Sequence, residues 1–557
     1  MELIQISKEE SSRLLKDKNI LNEVVLDKYR LAGQITQTCL DYLLNLIRDS
    51  YHLAKMNPLS STELCILGDS YLSKALKNVY SKSSLSVSEK GISMPVTIQV
   101  NDILSGVSPE IDDAKSLNLY FTPGDIVKIS FGVHIDGYTS NVSHTIVIYP
   151  PPNPTQQPLD KNDIKPAGPL LGPKADAICA SYIAIEAVVS LMGLAVAPEK
   201  IPKSFNSNNI NGTLIRQLVD RIASIYNCVV VPSSKVRRVR RFLAGQAEGV
   251  VLEKEFKGIV WTEANQEAGL LARSESTELE KYNLNEKDKE FLVTPGEVYL
   301  IDIHMAPLSE FKKEVGLVTL EEVNNHAGSK DNSLKLRPSI FLRDFAYSYA
   351  LRLSASRKTI TKIDQTCSVY PFKISYLSDN FPIDPKGNLP EQIKKIQDDI
   401  KLLRLGMSEI VNHRLVTERP VTAGKFIPLE EILKASNPNG QTSSTVLPNA
   451  LLDIPLPKLG ITSLKLQNLV RYGKKIPIAS ESTTIILIKN GNNFTSGGKG
   501  EVLRLSGGSK VAKPNWVHSD YSLKGEGAEE IVNIIRLGQD SRFGVKIKEC
   551  QPIKMQF

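Results

Sequence analysis

The sequence predicts a mixed α/β (α+β) fold, and three observations predict it. A strand-rich block at 92–148 contains a hairpin turn, and apolar residues at helical spacing lie on both sides of that block. A Pro-Gly-acid turn leading into a strand also occurs twice, at Pro123-Gly124-Asp125 and at Pro295-Gly296-Glu297. With 557 residues, 41% of them hydrophobic, the chain has ample material to bury one or two cores.

Residues 1–20 are polar and are expected to form a flexible N-terminus, with a single domain over 21–557. From Asp27, the residues Tyr29, Ala32, Ile35, Leu40, Leu43 and Ile47 recur at roughly helical spacing, which predicts a core-facing amphipathic helix. In the β block, MPVTIQV is followed by Ile126–Ile135 and Val142–Tyr149, which flank Asp136-Gly137, the dipeptide of a tight hairpin turn. Helices are predicted at 175–195 and 212–227, and a second strand-rich element at 295–305.

The repeated Pro-Gly-acid turn suggests two similar halves, although such turns are common. Further structured pieces are read at 338–354, 390–413 and 483–491, with surface insertions near 150–173, 265–290, 312–336, 424–475 and 492–515. Within them, 434–457 mixes turn formers with isolated hydrophobes, the composition of a docking loop.

Bulk properties exclude several classes. No apolar run of ~18 residues is read as a membrane span, and the N-terminus lacks the basic-then-apolar order of a signal peptide. Six cysteines with no C-x-x-C spacing argue against a zinc ribbon or redox motif and for buried thiols in a reducing compartment. The sequons at Asn141, Asn211 and Asn493 are then chance matches. A net charge of +7 is compatible with an RNA-rich partner without demonstrating one.

No H-E-x-x-H, phosphate-loop or G-x-S-x-G motif occurs, and the Gly-rich 496–510 reads as a surface loop. His134 and His144 flank the hairpin and read as ordinary strand residues, hydrogen-bonded or exposed, rather than as ligands. The basic run Lys235, Arg237, Arg238, Arg240 and Arg241 fits phosphate contact or a nuclear-import signal, against the plainer reading of a solvated basic face.

At VVLDKYRLAG (24–33), GDIVKISFGVHIDGY (124–138), ADAICASYIAIEA, PGEVYLID, RLGMSEIVNHRLV and TTIILIKNG, the chain resembles the type-2 methionine aminopeptidases. It is more similar still to their non-peptidase relatives, the proliferation-associated proteins. Length and insertions place it nearest a fungal group called "probable metalloprotease". The resemblance implies the "pita-bread" fold of two related α/β halves.

An active member of that family holds two adjacent divalent ions on two Asp, a His and two Glu, with a further His near the scissile bond; the ions polarise a carbonyl and supply hydroxide. Carried onto this chain, the two Asp positions fall on Ser130 and Asn141, the extra His on Gly106 and the His ligand near Lys235. The first Glu falls on Asp302 and the last on Ser482, or on Glu481 if the alignment slips by one. A cation beside a dication at ~4 Å costs several kcal/mol even at an effective dielectric near 20.

The expectation is therefore a degenerate peptidase pocket with no catalytic residue, no metal and no cofactor. The resemblance further implies a ribosome-biogenesis factor that binds the immature large subunit (pre-60S). Its partners would be rRNA and ribosomal proteins at the tunnel exit, Phe-Gly-repeat nucleoporins and a small adaptor protein, with no membrane, and it would shuttle between nucleus and cytoplasm. The alternatives are a divergent metal-dependent aminopeptidase and an RNA-binding translational regulator.

Overall fold

The computed structural model describes residues 17–553 apart from 82–86, 114–118, 152–167, 203–208, 242–257, 267–285, 309–314, 324–337, 437–468, 490–499 and the short gaps 346, 385–386, 472, 509–510, 515, 526, 541 and 543. The first half contains α1 (Glu23–Ile47), α2 (Ser61–Asn78), β1 (Lys90–Val100), β2 (Ile103–Ser105), β3 (Ile126–Ile135), β4 (Tyr138–Val147), α3 (Pro173–Gly193), α4 (Gly212–Ile225), β5 (Cys228–Val230), β6 (Lys235–Arg238) and β7 (Ile259–Val260). The second contains α5 (Glu286–Glu290), β8 (Val298–Pro307), β9 (Gly316–Val323), β10 (Phe341–Arg343), α6 (Ser354–Thr366), α7 (Leu389–Asn412), β11 (Val416–Glu418), β12 (Val421–Pro428), α8 (Leu429–Ser436), β13 (Lys474–Lys475), β14 (Ala479–Ile488), β15 (Glu501–Arg504), α9 (Ala528–Gln539) and β16 (Ile547–Glu549).

Local chemistry starts the helices. The Asn22 side chain accepts from the Val25 amide at 2.8 Å and opens α1. At α2 a capping box forms: the Glu63 amide donates to Ser60 Oγ at 3.2 Å, and the Ser60 amide donates to the Glu63 carboxylate at 2.8 Å. The β3–β4 hairpin closes through Asp136 and Gly137, both at positive φ (55° and 81°), as the two-residue turn requires.

Ten strands make the main sheet, in the order β1-β3-β4-β14-β8-β6-β7, with β15 and β16 continuing from β14 and β5 beside β8. Strand alternation sends Val127, Ile129 and Phe131 toward α1 and α2, where Ile35, Leu43 and Leu64 cover them. Ile301, Ile303 and Ile485 point to the same side of the sheet, against α3 and α4. Four helices thus blanket one face.

The repeated turn is structural as well as sequential. Gly124 and Gly296 both have φ +90°, and each donates its amide to a neighbouring strand, to Ile148 O at 2.8 Å and to Leu487 O at 2.6 Å. Only glycine holds that backbone without strain.

Helix α3 with the turn after it (Pro173–Val196) is long and apolar enough to cross a membrane by composition, contrary to the sequence reading; 78% of its apolar window is buried inside the protein, as a core helix requires. Strands also form inside three stretches read as insertions. β9 lies in 312–336, β15 in 492–515, and β12 overlaps 424–475. β9 carries Glu321 and Glu322 and reads as polar, yet it pairs with β12 from Gly316↔Pro428 to Val323↔Val421. β15 is buried throughout, so the Gly-rich 496–510 is not simply a surface loop. The segments 150–173 and 265–290 fall largely outside the described residues, as do 1–16 and, within the docking loop, 437–457.

Candidate functional site

The face of the sheet opposite those four helices carries a polar row in register across six strands. Thr97 stands opposite Ser130, Ser130 opposite Ser143, Ser143 opposite Ser482, Ser482 opposite Asp302, and Asp302 opposite Lys235. Directly opposed residues project from the same face of a sheet. The structure therefore brings together Ser130, Ser482, Asp302 and Lys235, four of the six positions predicted from sequence. Asn141 lies two residues along β4 from Ser143, on the same face, and accepts from Ser93 Oγ at 3.0 Å.

Side chains link this row into a chain of hydrogen bonds. Ser130 Oγ lies 2.8 Å from Ser143 Oγ, which lies 3.1 Å from Ser480 Oγ. Ser480 Oγ lies 2.8 Å from His304 Nδ1, and His304 Nε2 lies 3.5 Å from the Asp302 carboxylate. Burial alone would raise the Asp302 carboxyl, but His304, Lys235 and Arg237 together hold it below the usual carboxylate range. Ser480 and His304 were not singled out from sequence. Each sits two residues from a predicted position, Ser482 or Asp302, so the two-residue period of a strand was the signal that pointed to them.

Register also settles the alternative at the last position. Glu481 is opposite Ile303 and projects away from the polar row. Its carboxylate accepts from the Thr145 amide at 3.1 Å and lies 2.9 Å from His144 Nδ1. Ser482, not Glu481, shares the face with Asp302.

Across the hairpin His134 stands opposite Thr139 and His144 opposite Ile129. His134 is buried and stacked on Tyr370 at 3.7 Å, not exposed, and its Nδ1 has no hydrogen-bond partner among the described residues. That burial pushes its imidazole down to about 3. Gly106 has φ +89°, and a side chain there would place its Cβ 2.5 Å from Pro420 O, so the position admits no histidine without movement of the backbone.

The basic run is partly engaged within the fold. Lys235 faces Asp302, and Arg238 donates to Leu292 O at 2.6 Å. Arg240 is buried and paired bidentately with Glu297, and Arg241 pairs with Asp136 at 2.7 Å. Arg237 remains the exposed member. Internal acids thus engage Arg240 and Arg241 and stand opposite Lys235.

Two divalent ions need several carboxylates and a neutral imidazole converging on one point. Asp302 is the single carboxylate in the row, a lysine faces it, and hydroxyls occupy the remaining positions. No three His, Cys, Asp or Glu side chains converge anywhere among the described residues. This donor set does not fit the two-ion centre.

Residues 27–161 match metallopeptidase family M24. Over 576 aligned residues the chain is 46% identical to "Probable metalloprotease ARX1" of Candida albicans, covering 99% of this chain and 98% of that protein. The chain belongs to the ARX1 family. The Saccharomyces cerevisiae member is 44% identical, with 99% of this chain and 97% of that protein covered. A solved structure of a thermophilic Arx1 superposes with a TM-score of 0.54 at 17% identity, over 92% of this chain and 98% of that one. The fungal group indicated by length and insertions, and the pita-bread α/β fold that the resemblance implies, are those of this ARX1-family chain.

Proposed function

We propose that this protein is a non-catalytic ribosome-biogenesis factor. It binds the pre-60S particle near the polypeptide tunnel exit, touching rRNA and ribosomal proteins, and promotes assembly and nuclear export. It shuttles between nucleus and cytoplasm through Phe-Gly-repeat nucleoporins, with a small adaptor protein as a further partner. The observation that carries the non-catalytic half is the row Ser130–Ser143–Ser482–Asp302–Lys235, in which Ser130 and Ser482 stand where a two-ion centre needs acids and Lys235 stands near where it needs a histidine. The ribosomal half is supported by the family resemblance.

Affinity purification of the full chain from its own cells tests the ribosomal half. Co-purification of immature large-subunit rRNA is the expected result; recovery of mature ribosomes alone, or of no rRNA, counts against it. The second reading is a divergent metal-dependent aminopeptidase, favoured by the name "Probable metalloprotease" that the relatives carry. Elemental analysis of the purified protein combined with an assay on Met-initiated peptides separates the two. Stoichiometric metal with turnover that Asp302→Ala abolishes would establish the enzyme.

A further inference from the structure

Helix α7 exposes apolar side chains that its own fold leaves uncovered. Leu402 is the most exposed large apolar residue among those described, at 75%, and Leu405 is 63% exposed. With Glu409 and His413 they follow one another at intervals of three, four and four residues, which places all four along a single stripe of the helix.

The segment before α6 is moored to that same stripe. Tyr349 stacks on His413 at 3.5 Å. The amides of Arg352 and Leu353 donate to the Glu409 carboxylate at 2.8 and 3.1 Å. Tyr349 and Leu353, both exposed, therefore stand at the Glu409–His413 end of the stripe whose other end carries Leu405 and Leu402. The two elements are fixed rigidly, because Gly406 lets α7 approach α6 until a Cβ there would meet Thr359 Oγ1 at 2.5 Å.

Exposed cations outnumber acids around the stripe, within which Glu409 is the acid. Glu409 is engaged by the two backbone amides, and Asp398 by Lys401 at 3.0 Å. Arg352, Arg357, Lys358 and Arg414 are exposed and make no ion pair among the described residues. Exposed leucines flanked by cations lacking acid partners call for a ligand that is apolar at its centre and acidic at its rim. A nucleic acid would satisfy the cations but leave the leucines in water.

We propose that the α6–α7 face docks an acidic amphipathic helix of a partner protein, with leucine-type anchors over Leu353, Leu402 and Leu405 and Asp or Glu against Arg352, Arg357, Lys358 and Arg414. This surface is independent of the polar row and of whether the protein is carried on a pre-ribosome.

Fluorescence anisotropy with the full chain tests it, using three labelled probes: a helical peptide of about 20 residues with Leu on one face and Glu on the other, the same peptide with Lys for Glu, and an RNA hairpin. Binding of the acidic peptide, weakened about tenfold or more by Leu402→Ser with Leu405→Ser and likewise by Arg352→Glu with Arg357→Glu, is the expected result. The lysine peptide should not bind. All four positions are on the surface, and unchanged thermal unfolding of the variants confirms that they fold. No binding of the acidic peptide, binding indifferent to the leucine substitutions, or displacement by the RNA hairpin would each overturn the proposal.

Discussion

Asp302 stands directly opposite Lys235 where β8 pairs with β6, and directly opposite Ser482 where β8 pairs with β14. The sole carboxylate of the polar row therefore has a cation on one side and a hydroxyl on the other. His304, two residues along the same strand, completes its surroundings at 3.5 Å. A carboxylate with a cation opposite it attracts a dication less strongly, and a chain of hydrogen-bonded hydroxyls leads away from it. Four consequences can be measured.

Ser480 joins the two ends of that network, contacting Ser143 Oγ at 3.1 Å and His304 Nδ1 at 2.8 Å in a buried setting. Ser480→Ala should destabilise the protein by about 1–3 kcal/mol, because buried partners lose their hydrogen bond. Chemical denaturation gives the magnitude, and a shift in the His304 ring nitrogens by NMR should accompany it. An unperturbed His304 would show that the ring is held by other contacts.

Restoring the family histidine at Gly106 should harm this protein. The backbone there is at φ +89°, and the new Cβ would press on Pro420 O. Strain and overpacking together predict a loss of about 2–4 kcal/mol for Gly106→His. A variant as stable as the parent would mean that the loop after β2 adapts freely.

Arg240 is held inside the protein by Glu297 and is 6% exposed. Arg240→Ala should cost about 2 kcal/mol or more, somewhat below a fully buried pair because Glu297 keeps partial solvent contact. Adding Glu297→Gln should recover part of that loss in a double-mutant cycle. Import assays on Arg240 variants therefore need a stability control, since misfolding alone would lower nuclear accumulation.

Burial drives the imidazole of His134 down to about 3 and that of His52 to about 4. Both folded values lie below the ordinary histidine value, so the unfolded chain takes up protons first as the solution is acidified. The contribution of these two histidines should accordingly be complete above pH 6.5 and fall as the pH drops from there toward the folded values, by about 1.4 kcal/mol per pH unit for each histidine. His134→Phe keeps the stack on Tyr370 without a titrating ring and should flatten the stability profile between pH 6 and 4 by one histidine's share. An unchanged slope would place the acid sensitivity elsewhere.

Much of the fold is legible in the residues because it follows from local pattern. The spacing of Tyr29, Ile35, Leu43 and Ile47 dictates α1, and Asp136-Gly137 dictates the β3–β4 hairpin. Helix α2 was equally legible in retrospect, since Ser60-x-x-Glu63 is a capping box written in the sequence. Strands β9, β12 and β15 were not, because their polar residues are tolerated only through pairing with distant partners, and pairing partners carry no local signature.

The sequence by itself determined which chemical groups stand at the pocket positions: Ser130, Asn141, Ser482 and Asp302 are residue identities that no folding can change. Tertiary structure alone decided which of them meet. Register sets Ser482 rather than Glu481 against Asp302, because a shift of one residue sends a strand side chain to the opposite face of the sheet. The fold likewise sets Lys235 opposite Asp302 and pairs Arg240 with Glu297 and Arg241 with Asp136, three of the five cations at 235–241. Charge is a property of the chain, but whether it remains available to a partner depends on what the fold places opposite it.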